Sequence, residues 1–325
     1  MGRKLIDKVR KTENFNFFSK LIFFLLIVFV LDYSIGSVLR HYYFTQKYGE
    51  YYSRTYAIEK TDADVLILGS SKAAHQYHSE IIAKGLKLSC YNAGSGGSSI
   101  FYHYAIFKAV LKRHTPKIII LDITRAFIKH KDSYDRLSVL LPYYERHPEL
   151  RSIIELRSPY EKIKLISKIY PYNSMLFSII IGNIELDAKF KKKQNKDING
   201  YIPLNGVWTN SIKIDSIPAG YELDSNQIKL FESMIKDCER INLKLYVVHS
   251  PDFIIKKVAE KSNLAGKEIA KKYHVELLDH YQDSLFLNNS KYFFDISHFN
   301  DEGAKVFSKI IVDKIIKDQS YSGTY

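Results

Sequence analysis

Val65 to Tyr77 reads VLILGSSKAAHQY, and its reading decides the fold. A continuous apolar run of four residues, with no polar alternation, is the pattern of a strand buried on both faces, as in a parallel sheet. Gly69-Ser70-Ser71 ends the run, and a helix-forming sequence follows at once. The spacing predicts Ser71 at the carboxyl end of a buried strand, the edge at which open α/β sheets bind ligands. More than two hundred positions later, Asp295 to Ala304 reads DISHFNDEGA and sets a carboxylate and an imidazole three residues apart. Ser71, His298 and Asp295 are therefore the candidate nucleophile, base and orienting carboxylate of an acyl-transfer site.

Outward from Val65 the same alternation continues. Strands are expected at Val65–Leu68, Leu88–Tyr91, Ile118–Asp122, Leu243–His249 and Val275–Leu278. Helices are expected at about Lys72–Lys84, Ser99–Arg113, Ser225–Ile241, Ile254–Lys272 and Asp301–Ile316. Strands alternating with helices imply a parallel sheet covered on both faces, here a flavodoxin-like three-layer α/β/α sandwich of five strands over residues 61–318. Residues 127–219 exceed an ordinary connection and are expected as a helical or irregular insertion, either a lid over the site or a subdomain that only packs. It holds six of the chain's eight prolines, the basic run at Lys189–Lys196 and the sole tryptophan, Trp208. The lysine run reads as a solvated loop. Residues 319–325 are expected to be a flexible tail.

The N-terminus carries a second message. Leu21 to Leu39, LIFFLLIVFVLDYSIGSVL, holds one charge, Asp32, and is long enough for one bilayer crossing. Its uncharged part, Leu21–Leu31, also has the length of a signal-peptide core, with cleavage conceivable after Gly36, and both readings stay open. Residues 1–20 are rich in Lys and Arg, so the positive-inside tendency keeps this tail cytoplasmic and sends the rest out of the cytoplasm, to the periplasm or cell surface. Residues 40–60, basic and tyrosine-rich, are expected to be a stalk leaving the membrane interface.

Composition excludes several classes. The 325 residues, 46% of them hydrophobic, can bury a full core. The net charge of +13 comes without an arginine-rich or aromatic RNA-binding signature, so no nucleic-acid partner is expected. Cys90 and Cys238 are too few for a disulfide framework and read as buried free thiols. His75, His78 and His103 fall near the candidate site without metal-ligand spacing, and no metal or cofactor is expected. Asp252, after the fourth strand, is a strand-end residue that could touch substrate, and no chemistry follows from it alone.

In four places these blocks bear on one family. Gly69-Ser70-Ser71, then Tyr91-Asn92-Ala93-Gly94-Ser95-Gly96-Gly97-Ser98, then Asp295-Ile296-Ser297-His298 with the following Phe299–Ala304, resemble the SGNH or GDSL hydrolase superfamily. Ser70 stands where the family usually has aspartate, a change tolerated in membrane-anchored relatives. The resemblance implies Ser71 as nucleophile, and backbone N–H groups of Ser71 and Gly97 as the oxyanion hole. It fails after the third strand, where the family's Gly-x-Asn-Asp is Leu121-Asp122-Ile123-Thr124-Arg125. Thr124 and Arg125 are the candidates to replace the missing asparagine, a donor worth about 2.7–4 kcal/mol in comparable sites. Exported proteins that acylate surface polymers, including those of alginate acetylation and teichoic-acid D-alanylation, depart from the family pattern as well. The resemblance implies an exported, membrane-anchored serine esterase or O-acyltransferase acting on O-acyl groups of carbohydrate, with a multispanning membrane acyltransferase as candidate partner. The alternative is a non-catalytic protein of the same fold for glycan binding or envelope-polymer assembly.

Overall fold

The computed structural model describes residues 2–47, 49–183, 199–209, 221–255 and 257–322; the basic run Lys189–Lys196 lies outside them. Five strands, β1 (Val65–Leu68), β2 (Cys90–Asn92), β3 (Ile118–Asp122), β4 (Lys244–His249) and β5 (Glu276–Asp279), form one sheet in the order β2-β1-β3-β4-β5, and every pair is parallel. The order places β1 between β2 and β3, so the chain reverses direction across the sheet beside the carboxyl end of β1. That is the topological switch point at which such sheets hold ligands.

Alternate strand residues feed two separate cores. Leu66, Leu68, Ile119, Leu121, Leu245 and Val247 face the layer that contains α2 (Gly49–Glu59), α5 (Ile100–Leu111) and α6 (Ser225–Arg240). Val65, Ile67, Ile118, Ile120, Tyr246 and Val248 face the layer of α3 (Ser71–Gln76), α4 (Ser79–Leu86) and α8 (Asp301–Ser322). The remaining long helix, α7 (Lys257–Lys272), precedes β5. The expected three-layer α/β/α arrangement with five parallel strands is thus the one observed.

Boundaries differ where side chains intervene. The helix expected over Lys72–Lys84 is two helices, broken at Tyr77 and His78, which are both extended. Tyr77 donates its hydroxyl to Asp122 at 2.8 Å, and the His78 backbone N–H is taken by Ser308 Oγ of α8 at 2.7 Å. Strand β2 starts at Cys90 because the residues before it close α4: Lys87 is left-handed (φ 55°) and Leu88 N–H returns to Ala83 O. Helix α8 continues to Ser322, into the stretch expected to be a flexible tail.

The largest correction concerns the N-terminal sixty residues. One continuous helix, α1 (Gly2–Phe44), takes in both the basic tail and the apolar segment, and Phe15–Phe44 is long and apolar enough to cross a membrane. Residues 40–60 are no stalk. Tyr43, at the end of α1, is buried and meets Tyr143 edge-on, and α2 buries Arg54, Thr55, Ala57 and Ile58 against the sheet domain. Thr55 and Tyr143 share a 2.7 Å hydrogen bond, and Arg113 caps the last turn of α2 by donating to the carbonyls of Ile58 and Ala57 at 3.1 and 3.2 Å. Of the aromatic residues that suggested an interfacial stalk, Tyr43 is a core residue whose partner Tyr143 lies a hundred positions away, and Phe44, Tyr51 and Tyr56 pack partly buried against the same core. The described part of the insertion packs into the same layer through Leu140, Tyr143, Leu150, Ile154 and Tyr172.

A chain shortened to begin at Tyr56 loses Tyr43, Arg54 and Thr55 from the core. It is expected to unfold several kcal/mol more easily than one beginning at Arg40, given about 2–5 kcal/mol per large buried side chain removed. Denaturant melts of the two truncations check this, and equal midpoints would contradict the packed-helix account.

Candidate active site

The site grows from the end of β1. A Cβ at Gly69 would come within 2.6 Å of Ala73 Cβ and 3.0 Å of Asp122 Cβ, so only glycine fits where the chain turns from strand into helix. Ser71 opens α3, and the N–H groups of a helix's first turn are not spent on intrahelical bonds. Its hydroxyl lies 2.8 Å from His298 Nε2. On the other side of the imidazole, Nδ1 lies 2.8 Å from Asp295 Oδ2 and 3.0 Å from Oδ1. With Nδ1–H donated to the carboxylate, Nε2 is the acceptor for the Ser71 hydroxyl. The three residues singled out in the sequence therefore meet as one hydrogen-bonded chain.

Asp295 is itself held by the loop it sits on. Oδ1 accepts the backbone N–H groups of Ser297 and His298 at 2.8 and 2.9 Å. Burial works against the charged form, but the His298 contact and these two donors outweigh it, and the carboxyl is pulled down to about 2. A depressed carboxylate stabilises the fold above its unfolded value of 3.8, and that contribution is lost as pH falls through about 2. The side chain is 40% exposed, so solvent screening keeps the contribution small.

What aims this loop is a set of contacts absent from any motif. Gln76, fully buried on α3, donates Nε2 to Ser297 O at 3.1 Å and to Pro251 O at 3.3 Å, tying the His298 loop and the β4 exit to the helix that carries Ser71. Lys72, next to Ser71, is also buried; its ammonium pairs with Asp252 Oδ1 at 3.0 Å and donates to Pro251 O at 2.6 Å. Asp252, expected to reach substrate, is instead inside the protein as the partner of Lys72. Phe293 and Phe299 bracket the loop and meet edge-on, and Phe299 packs in turn against Phe286 and Phe307, with ring centroids 4.7–5.7 Å apart. A buried glutamine or lysine leaves no periodic signal, because its role depends on a partner far away in sequence.

The glycine-rich turn after β2 is fastened beside the start of α3 by Ser95 N–H to Gly69 O at 3.1 Å. Ser98 N–H returns to Ser95 O at 3.1 Å, and Gly97 occupies the turn position with φ 67°, a left-handed conformation that glycine adopts without cost. Arg136, from the insertion, lies over Gly97 where a side chain would otherwise be.

The two candidates for the missing asparagine are both otherwise engaged. Thr124 Oγ1 accepts Ser250 N–H at 2.8 Å and is buried, so it is a link between β3 and β4 rather than a donor facing the cleft. Arg125 sits in the left-handed region (φ 60°), and its guanidinium lies 3.5 Å from Asp252. Among the histidines, His75 donates Nδ1–H to Ile202 O at 2.7 Å, and its ring meets that of His298 edge-on at 5.4 Å. Burial lowers its pKa despite the Ile202 carbonyl, which favours the neutral ring beside His298. His103 is buried, bonded to Ser98 Oγ at 2.9 Å, and pushed down to about 3 by desolvation. His78 stacks on Tyr201.

A comparison with solved structures finds distant likenesses. One is assigned to the lipolytic G-D-S-L family and comes from Desulfitobacterium hafniense (8% identity, 77% of this chain and 97% of that one, TM-score 0.40). Another is a mutant acetyl-xylooligosaccharide esterase from Geobacillus (10% identity, 77% and 93%, TM-score 0.37). A third is a GDSL-like lipase from Bacteroides thetaiotaomicron (10% identity, 77% and 88%, TM-score 0.37). The chain is similar to SGNH- and GDSL-type hydrolases. No protein-family model matches it, and no curated protein matches it in sequence. The reading of the site rests on the distances above, which are those of a Ser-His-Asp hydrogen-bonded chain.

Two outcomes follow. Thr124→Val is expected to change the rate of ester cleavage by no more than a few-fold while costing about 1 kcal/mol in a denaturant melt, the worth of one internal hydrogen bond; a loss of a hundredfold or more would return Thr124 to the oxyanion hole. The stability advantage of the native chain over Asp295→Asn should shrink as pH is lowered from about 4 towards 2, measured by thermal unfolding.

Proposed function

We propose that this chain is a serine esterase or O-acyltransferase that forms an acyl-enzyme on Ser71. The observation that carries the reading is the continuous path Ser71 Oγ to His298 Nε2 to Asp295, with both contacts at 2.8 Å. A serine hydroxyl is a weak nucleophile until a base takes its proton, and an imidazole oriented by a carboxylate does so near neutral pH. Ser71 Oγ adds to the ester carbonyl as His298 Nε2 takes the hydroxyl proton. The oxyanion that forms is received by the N–H groups of Ser71 and Gly97. Collapse of the tetrahedral intermediate breaks the bond to the alcohol, which leaves with the proton from His298 and an acyl group on Ser71. Water or a second hydroxyl then reverses the sequence, giving hydrolysis or transfer.

The substrate we assign is the O-acyl group of an exported or surface carbohydrate, with α1 as a single-pass anchor, the N-terminus in the cytoplasm and the sheet domain outside. This is supported by the run of basic residues before the apolar helix, by the resemblance of the three sequence blocks to the SGNH or GDSL superfamily, and by a departure from its pattern of the kind that exported acylating proteins also make. A multispanning membrane acyltransferase is the candidate partner if the reaction is transfer. The unfilled place of the third-block asparagine favours one second reading, a glycan-binding protein of the same fold without turnover.

Detergent-solubilised full-length chain treated with a fluorophosphonate probe and with an aryl acetate separates the two. The enzyme reading expects labelling and hydrolysis in the native chain, neither in Ser71→Ala, and kcat/KM lower by about 10²–10⁴ in His298→Ala. A folded native chain that neither labels nor turns over would leave the binding reading.

A further inference from the structure

We propose that the insertion does not merely sit above the membrane but enters its outer leaflet beside α1, with Ile163, Ile166, Phe177 and Ile180 in contact with lipid acyl chains. This rests on the reading of α1 as a membrane anchor.

The argument starts from Asp32, the one charge within Leu21–Leu39. The uncharged stretch before it, Leu21–Leu31, extends about 16 Å as helix, barely half of the roughly 30 Å hydrocarbon layer. A spanning helix must extend past Lys20 or past Asp32, and the exposed apolar side that continues through Ile35 and Val38 carries Asp32 into the apolar layer, where a bare carboxylate is strongly disfavoured. The insertion supplies what Asp32 needs. Its carboxylate accepts Ser167 O–H at 2.5 Å, Lys168 N–H at 2.7 Å and Ile169 N–H at 3.4 Å. The exchange is mutual, because backbone N–H groups of a loop cannot enter the hydrocarbon layer unless protein satisfies them.

The contact then follows the helix. Gly36, one turn on, touches the Lys168 backbone so closely that any side chain at 36 would collide with it, and Asn183 donates to Tyr42 O at 2.8 Å. From Asp32 to Tyr42 the insertion thus accompanies α1 over about 15 Å. The residues flanking this seam are apolar and uncovered: Ile163, Ile166, Phe177 and Ile180 are 65, 71, 75 and 57% exposed. They adjoin the exposed apolar side of α1, which continues past Asp32 through Ile35 and Val38. Lys162 and Lys164, on either side of Ile163, have their charges offset by pairing with Glu155 and Glu161 at 3.3 Å. Continuity with the spanning helix and a carboxylate whose hydrogen bonds the loop satisfies together select lipid, rather than a protein partner, as what covers these side chains.

The test is tryptophan depth in vesicles of phosphatidylcholine, using the full-length chain in a Trp208→Phe background with a single tryptophan at Ile166, Phe177 or Leu26, and lipids brominated along the acyl chain as quencher. Blue-shifted emission that is lost in the brominated vesicles at all three positions is the expected result. Quenching at Leu26→Trp alone would overturn the proposal and leave the anchor standing; no quenching anywhere would remove both. Should Trp208→Phe fail to fold, Ile166→Cys and Phe177→Cys carrying a bimane dye give the same reading with Trp208 in place, since Cys90 and Cys238 are buried.

Discussion

The 2.8 Å hydrogen bond between Ser71 and His298 joins two segments 227 positions apart, and most of the molecule serves to make that distance possible. Ser71 is fixed because β1 is buried between two other strands and ends in a glycine that only a glycine can replace. His298 is fixed because its loop is clamped from three sides: Asp295 accepts the backbone of its own turn, Gln76 holds Ser297 from the helix of Ser71, and four phenylalanines fill the space beneath. A shift of either element by an ångström would break the bond and expose the hydroxyl to water, since proton transfer demands contact at hydrogen-bond range.

The buried ion pair of Lys72 and Asp252 extends the same constraint. A charge removed from water is tolerated only when paired, and losing one partner of such a pair typically costs about 3–5 kcal/mol. The pair links α3 to the segment leaving β4, so the price of burial is set against a fixed orientation of the nucleophile helix. Arg125 adds a second cation to the same carboxylate from the end of β3. Three strand ends are thereby joined under one site.

The sheet and the three catalytic candidates were legible because each depends on local pattern. An unbroken apolar run before Gly-Ser-Ser marks a buried strand wherever it occurs, and Asp-x-x-His places its two side chains by spacing alone. What escaped the sequence depends on distant partners. Tyr43 and Arg54 look interfacial until Tyr143 and the α5 layer are known to cover them. Thr124 looks available until Ser250 claims its oxygen, and Gln76 is silent until Ser297 is seen opposite it. Strand ends and helix breaks moved by a few residues for the same reason: Tyr77 and His78 leave the helical conformation to serve Asp122 and α8.

The central claim is that Ser71 becomes acylated. The most direct measurement is intact mass spectrometry of the full-length chain, quenched in acid during turnover of an aryl acetate, followed by peptide mapping. The account predicts a mass increase of one acetyl group, located on Ser71 and absent from Ser71→Ala. A folded chain that cleaves the ester without acylating Ser71, or that carries the acetyl group equally on the Ser71→Ala variant, would contradict it.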